Sequence, residues 1–107
     1  MKRGTIVWVD LSDANPPEMG KVRPGVVVSG SVHNETLGTV VVVPTSSSAP
    51  EIFPYRLCVG VFAGKGTYAI VPGIRLVRKG RLKAVLGELS IESLSALDEC
   101  LMAYLQQ

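Results

Sequence analysis

Three stretches in the first half of the chain are apolar and rich in β-branched residues, as buried strands are. They lie at Thr5–Asp10, 24–29 and 39–44, and the third contains four consecutive valines. Strands that face water on one side alternate apolar and polar residues, whereas unbroken valine runs are typical of strands covered on both faces. The pattern therefore predicts a small closed barrel in which neighbouring strands curl over one another.

Four shorter strands are predicted further along, separated by residues that favour turns. Their ranges are 55–61, 67–71, 74–77 and 83–86. Residues 33–38 are predicted as a plain connection between the second and third strands. The expected fold class is mainly β, with strands over about residues 5–89.

At the end of the chain the apolar period becomes that of a helix. Ser90 is a suitable N-cap, because its hydroxyl can accept from a free backbone N–H of the first turn. Four leucines then fall on one stripe of a helix over about residues 91–105: Leu94, Leu97, Leu101 and Leu105. We expect one domain over residues 1–107, with this helix packed on the barrel.

Composition narrows the class of protein. The chain has 107 residues, of which 47% are hydrophobic, and a formal net charge of +2. Its mean hydropathy is +0.32, too high for a disordered chain. The longest apolar run is far too short for a membrane span, and no apolar core of an export signal follows the basic residues near the start.

The few histidines and cysteines argue against several kinds of site. One histidine, His33, and two cysteines, Cys58 and Cys100, make a Ser-His-Asp triad, a disulfide framework and a Cys/His zinc site improbable. We therefore expect no metal and no cofactor. The two cysteines are expected to be buried, reduced thiols of a cytoplasmic protein.

A basic block interrupts the balanced charge of the chain. Between Glu51 and Glu88 there are seven basic residues and no acidic one: Arg56, Lys65, Arg75, Arg78, Lys79, Arg81 and Lys83. Such a block would attract a polyanion if it lay on one face. Solvated strand ends and loops explain the same residues equally well.

Two segments carry candidate chemistry. In the first, Pro24 keeps Arg23 out of the helical region just before a buried strand, and an arginine fork can bind a phosphate through two bonds. In the second, a buried strand runs into the hydroxyl residues 45–48, where hydroxyls and free amides could hold an anion. Taken singly, an ordinary surface arginine and a polar loop remain the simpler explanations.

Taken together and in order, the motifs of this chain closely resemble those of the MazF/PemK toxin family. The motifs are RGTIVWVDL at 3–11, EMGKVRPGVVVS at 18–29, TVVVVPTS at 39–46, IR at 74–75, RL at 81–82 and GEL at 87–89. The resemblance spans nearly the whole chain. It implies an SH3-like barrel of the MazF/PemK/CcdB type and a homodimer that cleaves single-stranded RNA at short sequences without metal. It also implies a cognate antitoxin that covers the site.

The resemblance also assigns roles to individual residues. It places a catalytic arginine at Arg23 and a catalytic hydroxyl two residues after the strand-end proline, at Ser46, with Thr45 as its neighbour. Glu18 stands at the family's spacing of five residues before the arginine. Because arginine is charged at neutral pH, we expect Arg23 to stabilise charge rather than to act as a base. Glu18 is the first candidate for the general base, and a water or substrate group is the second.

One position departs from the family pattern. Many members carry an acidic residue and a glutamine before the Ile-Arg strand, where this chain has Pro72 and Gly73. Glu18 could supply the missing carboxylate. His33 is chemically a possible base but matches no family site.

Binding of the RNA backbone is expected from a further set of polar and basic residues: Lys21, Ser47, Arg75, Arg78, Lys79 and Arg81. Unpaired bases are often stacked on aromatic rings. We expect Phe53 and Tyr55 to serve in this way, because they follow the hydroxyl segment, and we expect Trp8 to belong to the core or to a dimer interface.

Two other functions remain open from the sequence. A toxin with the same barrel could poison DNA gyrase, although Arg23 and Ser46 would then have no role. The barrel could instead be an inactive binding module, for which the departure at Pro72 and Gly73 is the only support.

Overall fold

The fold is an antiparallel sheet curled into a half-barrel, with a helix packed against it, in a computed structural model that describes residues 1–48 and 50–107. Within these ranges the elements are β1 (Thr5–Asp10), β2 (Val22–Val27), α1 (Ser31–Thr36), β3 (Thr39–Ser46), β4 (Arg56–Phe62), β5 (Lys65–Ile70), β6 (Arg75–Arg78), β7 (Leu82–Glu88) and α2 (Ile91–Leu105). Single 3-10 turns at Val71–Gly73 and Lys79–Arg81 flank β6.

Strand β3 is the centre of the sheet. The strand order is β4-β5-β3-β2-β1-β7, and β6 also pairs with β3. The first half of β3 pairs with β6, from Thr39 opposite Arg78 to Val42 opposite Arg75, whereas its last residues pair with β5. The two halves of β3 therefore support different surfaces, and Ser46 lies on the half that faces β5.

The valine runs are covered on both faces, which confirms the prediction from their pattern. On one face Val26 and Val43 pack with Leu97 of α2, and on the other Val27 and Val42 pack into a second cluster. Alternate residues of one strand thus enter different clusters, as the two-residue period of a strand requires. This double burial holds β2 and β3 firmly where the candidate site residues begin.

Helix α2 begins and ends where the leucine stripe predicts. The Ser90 hydroxyl accepts from the backbone N–H of Ser93 over 3.0 Å, so the predicted cap is confirmed. Leu97 and Leu101 are buried, but Leu105 is 66% exposed. Leu105 lies in the last turn of the helix, so the end of the predicted leucine stripe is not covered by the sheet.

The link between β2 and β3 differs from the prediction. Residues Ser31–Thr36 form the short helix α1, because the buried Asn34 side chain ties this turn to the rest of the fold. Its amide nitrogen donates to the carbonyl oxygens of Met1 over 2.9 Å and of Ser29 over 3.0 Å. Both partners are carbonyl groups outside the helix, and Met1 is also remote in sequence. The polar composition of residues 31–36 therefore gave no indication of a helix.

Two further expectations need correction. Strand β2 starts earlier than predicted, at Val22, and β3 continues through Pro44 to Ser46, so Thr45 and Ser46 belong to the strand rather than to the loop. Cys100 is buried as expected, whereas Cys58 is exposed on β4. In the described residues, neither α-helix combines the length and the apolar character needed to cross a lipid bilayer.

Candidate active site

Two backbone carbonyls orient the guanidinium of Arg23 at the start of β2. Its Nε donates to the Gly20 oxygen over 2.8 Å, and its Nη1 donates to the Thr45 oxygen over 3.2 Å. The turn that presents the Gly20 carbonyl includes Lys21 at φ 69°, a left-handed conformation uncommon in residues other than glycine. Because a guanidinium has five N–H donors, these two bonds leave donors for an anion.

The neighbouring hydroxyls of Thr45 and Ser46 have different tasks. Thr45 is 2% exposed, and its hydroxyl donates to the Pro24 carbonyl over 2.7 Å, which ties β3 to β2. The half-buried Ser46 accepts at Oγ from the backbone N–H of Ser48 over 3.1 Å. That bond leaves the Ser46 hydroxyl proton available, so Ser46 is the better donor to a substrate.

Arg23 and Ser46 line the same cavity, which has a volume of about 600 Å³. Across the described residues, the cationic side chains on its wall are Lys21, Arg23 and Lys65, and the wall contains no carboxylate. Three positive charges around a concave surface attract an anion and raise its local concentration. The cavity therefore suits a phosphate group that Arg23 and Ser46 can reach together.

Glu18 does not line this cavity. It lines a separate one of about 320 Å³, together with Met19, Pro72, Gly73 and Arg75. The floor there is tight, because a Cβ at Gly73 would lie 2.7 Å from Cγ of Pro44. A side chain at position 73 would force Pro44 to move, which gives a physical reason for glycine at this position.

Comparison with known proteins identifies the family of the chain. The family described as "PemK-like, MazF-like toxin of type II toxin-antitoxin system" matches residues 2–105. The chain belongs to this family. It is 32% identical over 113 aligned positions to Endoribonuclease MazF9 of Mycobacterium tuberculosis, and the alignment covers 98% of this chain and 96% of that protein.

Solved structures show that this MazF-like chain has the fold of other MazF toxins. MazF from Deinococcus radiodurans superposes with a TM-score of 0.86 at 21% identity, over 100% of this chain and 97% of that one. A mycobacterial endoribonuclease in complex with its cognate antitoxin superposes with a TM-score of 0.82 at 22% identity, over 99% and 95%. The predicted mainly β, MazF-type fold with a C-terminal helix is therefore confirmed, although the sheet is a curled half-barrel rather than the closed barrel that the valine runs predicted.

The residues predicted to bind RNA lie in three places on the toxin. Lys21 and Ser47 line the cavity of Arg23, Arg75 lines the cavity of Glu18, and Arg78 and Arg81 flank a third depression beside Asp10. Lys79 is exposed next to Arg78. Arg78 pairs with Thr39 at the start of β3. At about 3.3 Å per residue, Thr39 lies roughly 23 Å along the strand from Ser46, so Arg78 is far from the cavity that contains Ser46.

Two of these arginines share an acidic partner. Asp13 binds Arg75 over 3.3 Å and Arg81 over 3.1 Å. The hydrogen bond from Arg75, reinforced by the charges of Arg75 and Arg81, lowers the pKa of Asp13 below its ordinary value. Asp10 also has a lowered pKa, chiefly because the Ser12 hydroxyl donates to it. Part of the basic block is therefore neutralised locally.

The aromatic residues at the cavity are not those expected from the sequence. Tyr55 packs edge-on against Tyr104 of α2, with ring centroids 6.1 Å apart, and Phe53 lies outside the cavity wall. Trp8 and Phe62 line the cavity instead. From the sequence we expected Trp8 in the core or at a dimer interface, and we did not predict that Trp8 lines this cavity.

One local pattern pointed to Trp8. Because side chains alternate along a strand, Ile6, Trp8 and Asp10 share one face of β1, and the polar Asp10 indicates that this face opens towards the strand end. Phe62 and Lys65 reach the cavity from the β4–β5 hairpin, which is distant in sequence. Nothing local in the sequence placed that hairpin beside Arg23.

Proposed function

We propose that this MazF-like toxin is an endoribonuclease that cuts single-stranded RNA, messenger RNA included, and so inhibits translation and growth. The observation that supports this proposal most directly is the shared cavity of Arg23 and Ser46, ringed by Lys21 and Lys65. The relative from Mycobacterium tuberculosis carries the name endoribonuclease. We expect the reaction to need neither a metal ion nor a cofactor.

The proposed reaction uses the substrate's own 2′-hydroxyl as the nucleophile. The 2′-oxygen bonds to the adjacent phosphorus and gives its proton to a base, while the bond from phosphorus to the 5′-oxygen breaks and that oxygen takes a proton. The products are a 2′,3′-cyclic phosphate and a 5′-hydroxyl. The protein has to align these atoms and stabilise the charge that builds up on the phosphorane.

Arg23 and Ser46 supply that stabilisation in the proposal. Arg23 faces the phosphate with donors that its bonds to Gly20 and Thr45 leave unused. Ser46 donates its hydroxyl proton to a non-bridging oxygen, and Thr45 supports both groups by joining β3 to β2. Donors that are already oriented act without reorganisation during the reaction, which is the main source of rate enhancement at such sites.

The general base has two candidates in the proposed mechanism. Glu18 remains the first candidate by its spacing from Arg23, but it lines the neighbouring cavity rather than the one that contains Arg23 and Ser46. We therefore propose that Glu18 contacts the RNA beside the scissile phosphate. A water or a substrate group takes the proton if Glu18 does not reach it.

The longer RNA chain is proposed to extend along the basic surface. Lys21 and Ser47 contact the phosphates nearest the cut, and Arg75, Arg78, Lys79 and Arg81 contact more distant ones. The support is their order along β6 and the following turn: β6 pairs beside the first half of β3, with Arg75 at the end nearer Ser46 and Arg78 opposite Thr39.

We propose that the toxin acts in the cytoplasm as a homodimer formed from one domain per chain, with residues 1–107 as that domain. Its second partner is a cognate antitoxin that covers the site. Among the structural relatives, the mycobacterial endoribonuclease is in complex with its cognate antitoxin, and MazF of Deinococcus radiodurans has been solved with MazE.

The activity is tested with a long single-stranded RNA in buffer containing EDTA, followed by mapping of the new 5′ ends. Discrete cuts by the wild type that are absent with Arg23→Ala support a metal-independent endoribonuclease and give its recognition sequence. Binding of RNA without cleavage indicates the inactive binding module. Neither binding nor cleavage, together with inhibition of gyrase-catalysed supercoiling, indicates the gyrase poison.

A further inference from the structure

Two aromatic rings line the cavity of Arg23 and have no part in the proposed cleavage step. Trp8 lies on β1 opposite Pro24, one residue along from the position of Arg23 on β2. Phe62 ends β4, where Gly60 leaves room for its ring, because a Cβ at Gly60 would lie 3.3 Å from it. Trp8 therefore reaches the cavity from β1 and Phe62 reaches it from β4, and these two strands are far apart in the strand order of the sheet.

These rings do not cover each other. Across residues 1–48 and 50–107, the only aromatic pair in contact is Tyr55 with Tyr104. Within the same residues, the Trp8 indole N–H has no hydrogen-bond acceptor. Since every buried side-chain nitrogen there has a partner, the indole N–H is not buried and is accessible to solvent. Trp8 thus presents a half-buried ring and an unused donor to the cavity.

The surroundings of the rings define what could lie against them. Lys21, Arg23 and Lys65 border the same space, which at about 600 Å³ is within the usual range for ligand sites. Sites for single-stranded nucleic acid combine aromatic rings that stack the bases with cations that follow the backbone. Trp8 and Arg23 line this cavity from the adjacent strands β1 and β2, so a base attached to a phosphate at Arg23 lies within reach of the Trp8 ring.

We propose that Trp8 is the stacking platform for the unpaired base next to the scissile phosphate, with Phe62 as the second apolar wall. This proposal rests on the proposed function for the identity of the ligand as RNA. Stacking tolerates any base, so Trp8 supplies affinity and alignment rather than the choice of sequence.

Trp8 can report on its own contacts, because it is the only tryptophan in the chain. The probe is a recognition-site RNA oligonucleotide with 2′-deoxyribose at the cleaved position, which binds but provides no nucleophile. We expect it to quench the tryptophan fluorescence, and we expect an abasic nucleotide at one position beside the scissile bond to remove the quenching. Binding seen by fluorescence anisotropy of a labelled oligonucleotide without any change in Trp8 emission would overturn the proposal.

Substitutions give an independent measurement. Loss of one base–aromatic stack costs about 1–3 kcal/mol, so Trp8→Ala should weaken oligonucleotide binding roughly 5- to 140-fold. Trp8→Phe keeps a ring and should restore most of the affinity. Phe53→Ala is the matched control, since Phe53 is exposed and outside the cavity, and it should leave the affinity unchanged.

The outcomes separate this proposal from the proposed function. If the wild type cuts RNA and Arg23→Ala does not, but folded Trp8→Ala binds and cuts as well as the wild type, the platform is wrong and the endoribonuclease stands. If the oligonucleotide quenches Trp8 and no RNA is cut, the platform stands and the catalytic proposal fails. Thermal melting of each variant shows which of them are folded. If Trp8→Ala is unfolded, the affinity and activity of Trp8→Phe decide whether Trp8 is the stacking platform.

Discussion

The guanidinium of Arg23 donates to the backbone carbonyl of Thr45 over 3.2 Å, across the boundary between β2 and β3. The Thr45 hydroxyl returns a bond to the Pro24 carbonyl over 2.7 Å. These two bonds join the strand that carries the cation to the strand that carries the hydroxyls. The distance between Arg23 and Ser46 is therefore set by paired strands and not by the conformation of a loop, which suits a site that must align a phosphate.

Substitution of Arg23 should remove RNA cleavage and leave the fold intact. We expect Arg23→Ala to lower the cleavage rate by about 10²–10³-fold, the usual loss when one oriented donor to a developing oxyanion is removed. Arg23→Lys keeps the charge but not the planar fork, so it should restore little activity. Single-turnover rates and melting temperatures measure the two effects, and full activity in Arg23→Lys would show that charge alone suffices.

Ser46 and Thr45 should separate into a catalytic and a structural role. Ser46→Ala should slow cleavage with little change in melting temperature, because Ser46 is only half-buried. Thr45→Val should lower the free energy of unfolding by about 0.5–1.5 kcal/mol, because the partly buried Pro24 carbonyl loses the hydroxyl donor of Thr45.

Thr45→Ser is the matched control, since it keeps the hydroxyl that bonds Pro24. Denaturant unfolding gives the stability of each variant, and cleavage of one RNA substrate gives the activity. Equal loss of activity in Ser46→Ala and in folded Thr45→Val would contradict the division of roles.

Gly73 should tolerate no side chain without a loss of stability. Gly73→Ala would place a Cβ 2.7 Å from Pro44, and such overpacking typically costs about 1–3 kcal/mol. Gly80→Ala is the control, because nothing lies within 4 Å of the added Cβ there. Chemical denaturation of both variants tests the expectation, which fails if the two substitutions have equal effects.

Stability should fall in acid partly through Asp13. Arg75 and Arg81 lower the pKa of Asp13 in the folded protein below the ordinary 3.8, so the unfolded chain binds the proton more readily. The contribution of Asp13 is therefore complete above the ordinary pKa and is lost as the pH falls through the lowered value.

The matching experiment compares melting temperatures of the wild type and Asp13→Asn between about pH 2 and pH 6. The wild type should be the more stable at pH 6, and the difference should shrink towards pH 2. A difference that does not change with pH would show that the ion pairs with Arg75 and Arg81 contribute nothing through the charge of Asp13.

Local patterns in the sequence were enough to predict the strands and α2, although not the short helix α1. Unbroken valine runs indicated strands with two buried faces, and Ser90 with a leucine stripe indicated α2, because burial and capping leave short-range periods in the chain. Arg23 and Ser46 were predicted from the order of family motifs. The shared cavity that supports them, however, was not visible in any local pattern.

Long-range pairing settled the rest. In the sequence only the family motif distinguished Ser46 from Thr45, because the physical difference is a bond from Thr45 to Pro24 on another strand. Arg75 donates a hydrogen bond to Asp13, which is 62 residues away in sequence. The β4–β5 hairpin places Phe62 and Lys65 at the cavity of Arg23. Contacts of this kind depend on which strands become neighbours when the sheet curls, and a local hydrophobic period carries no information about that choice.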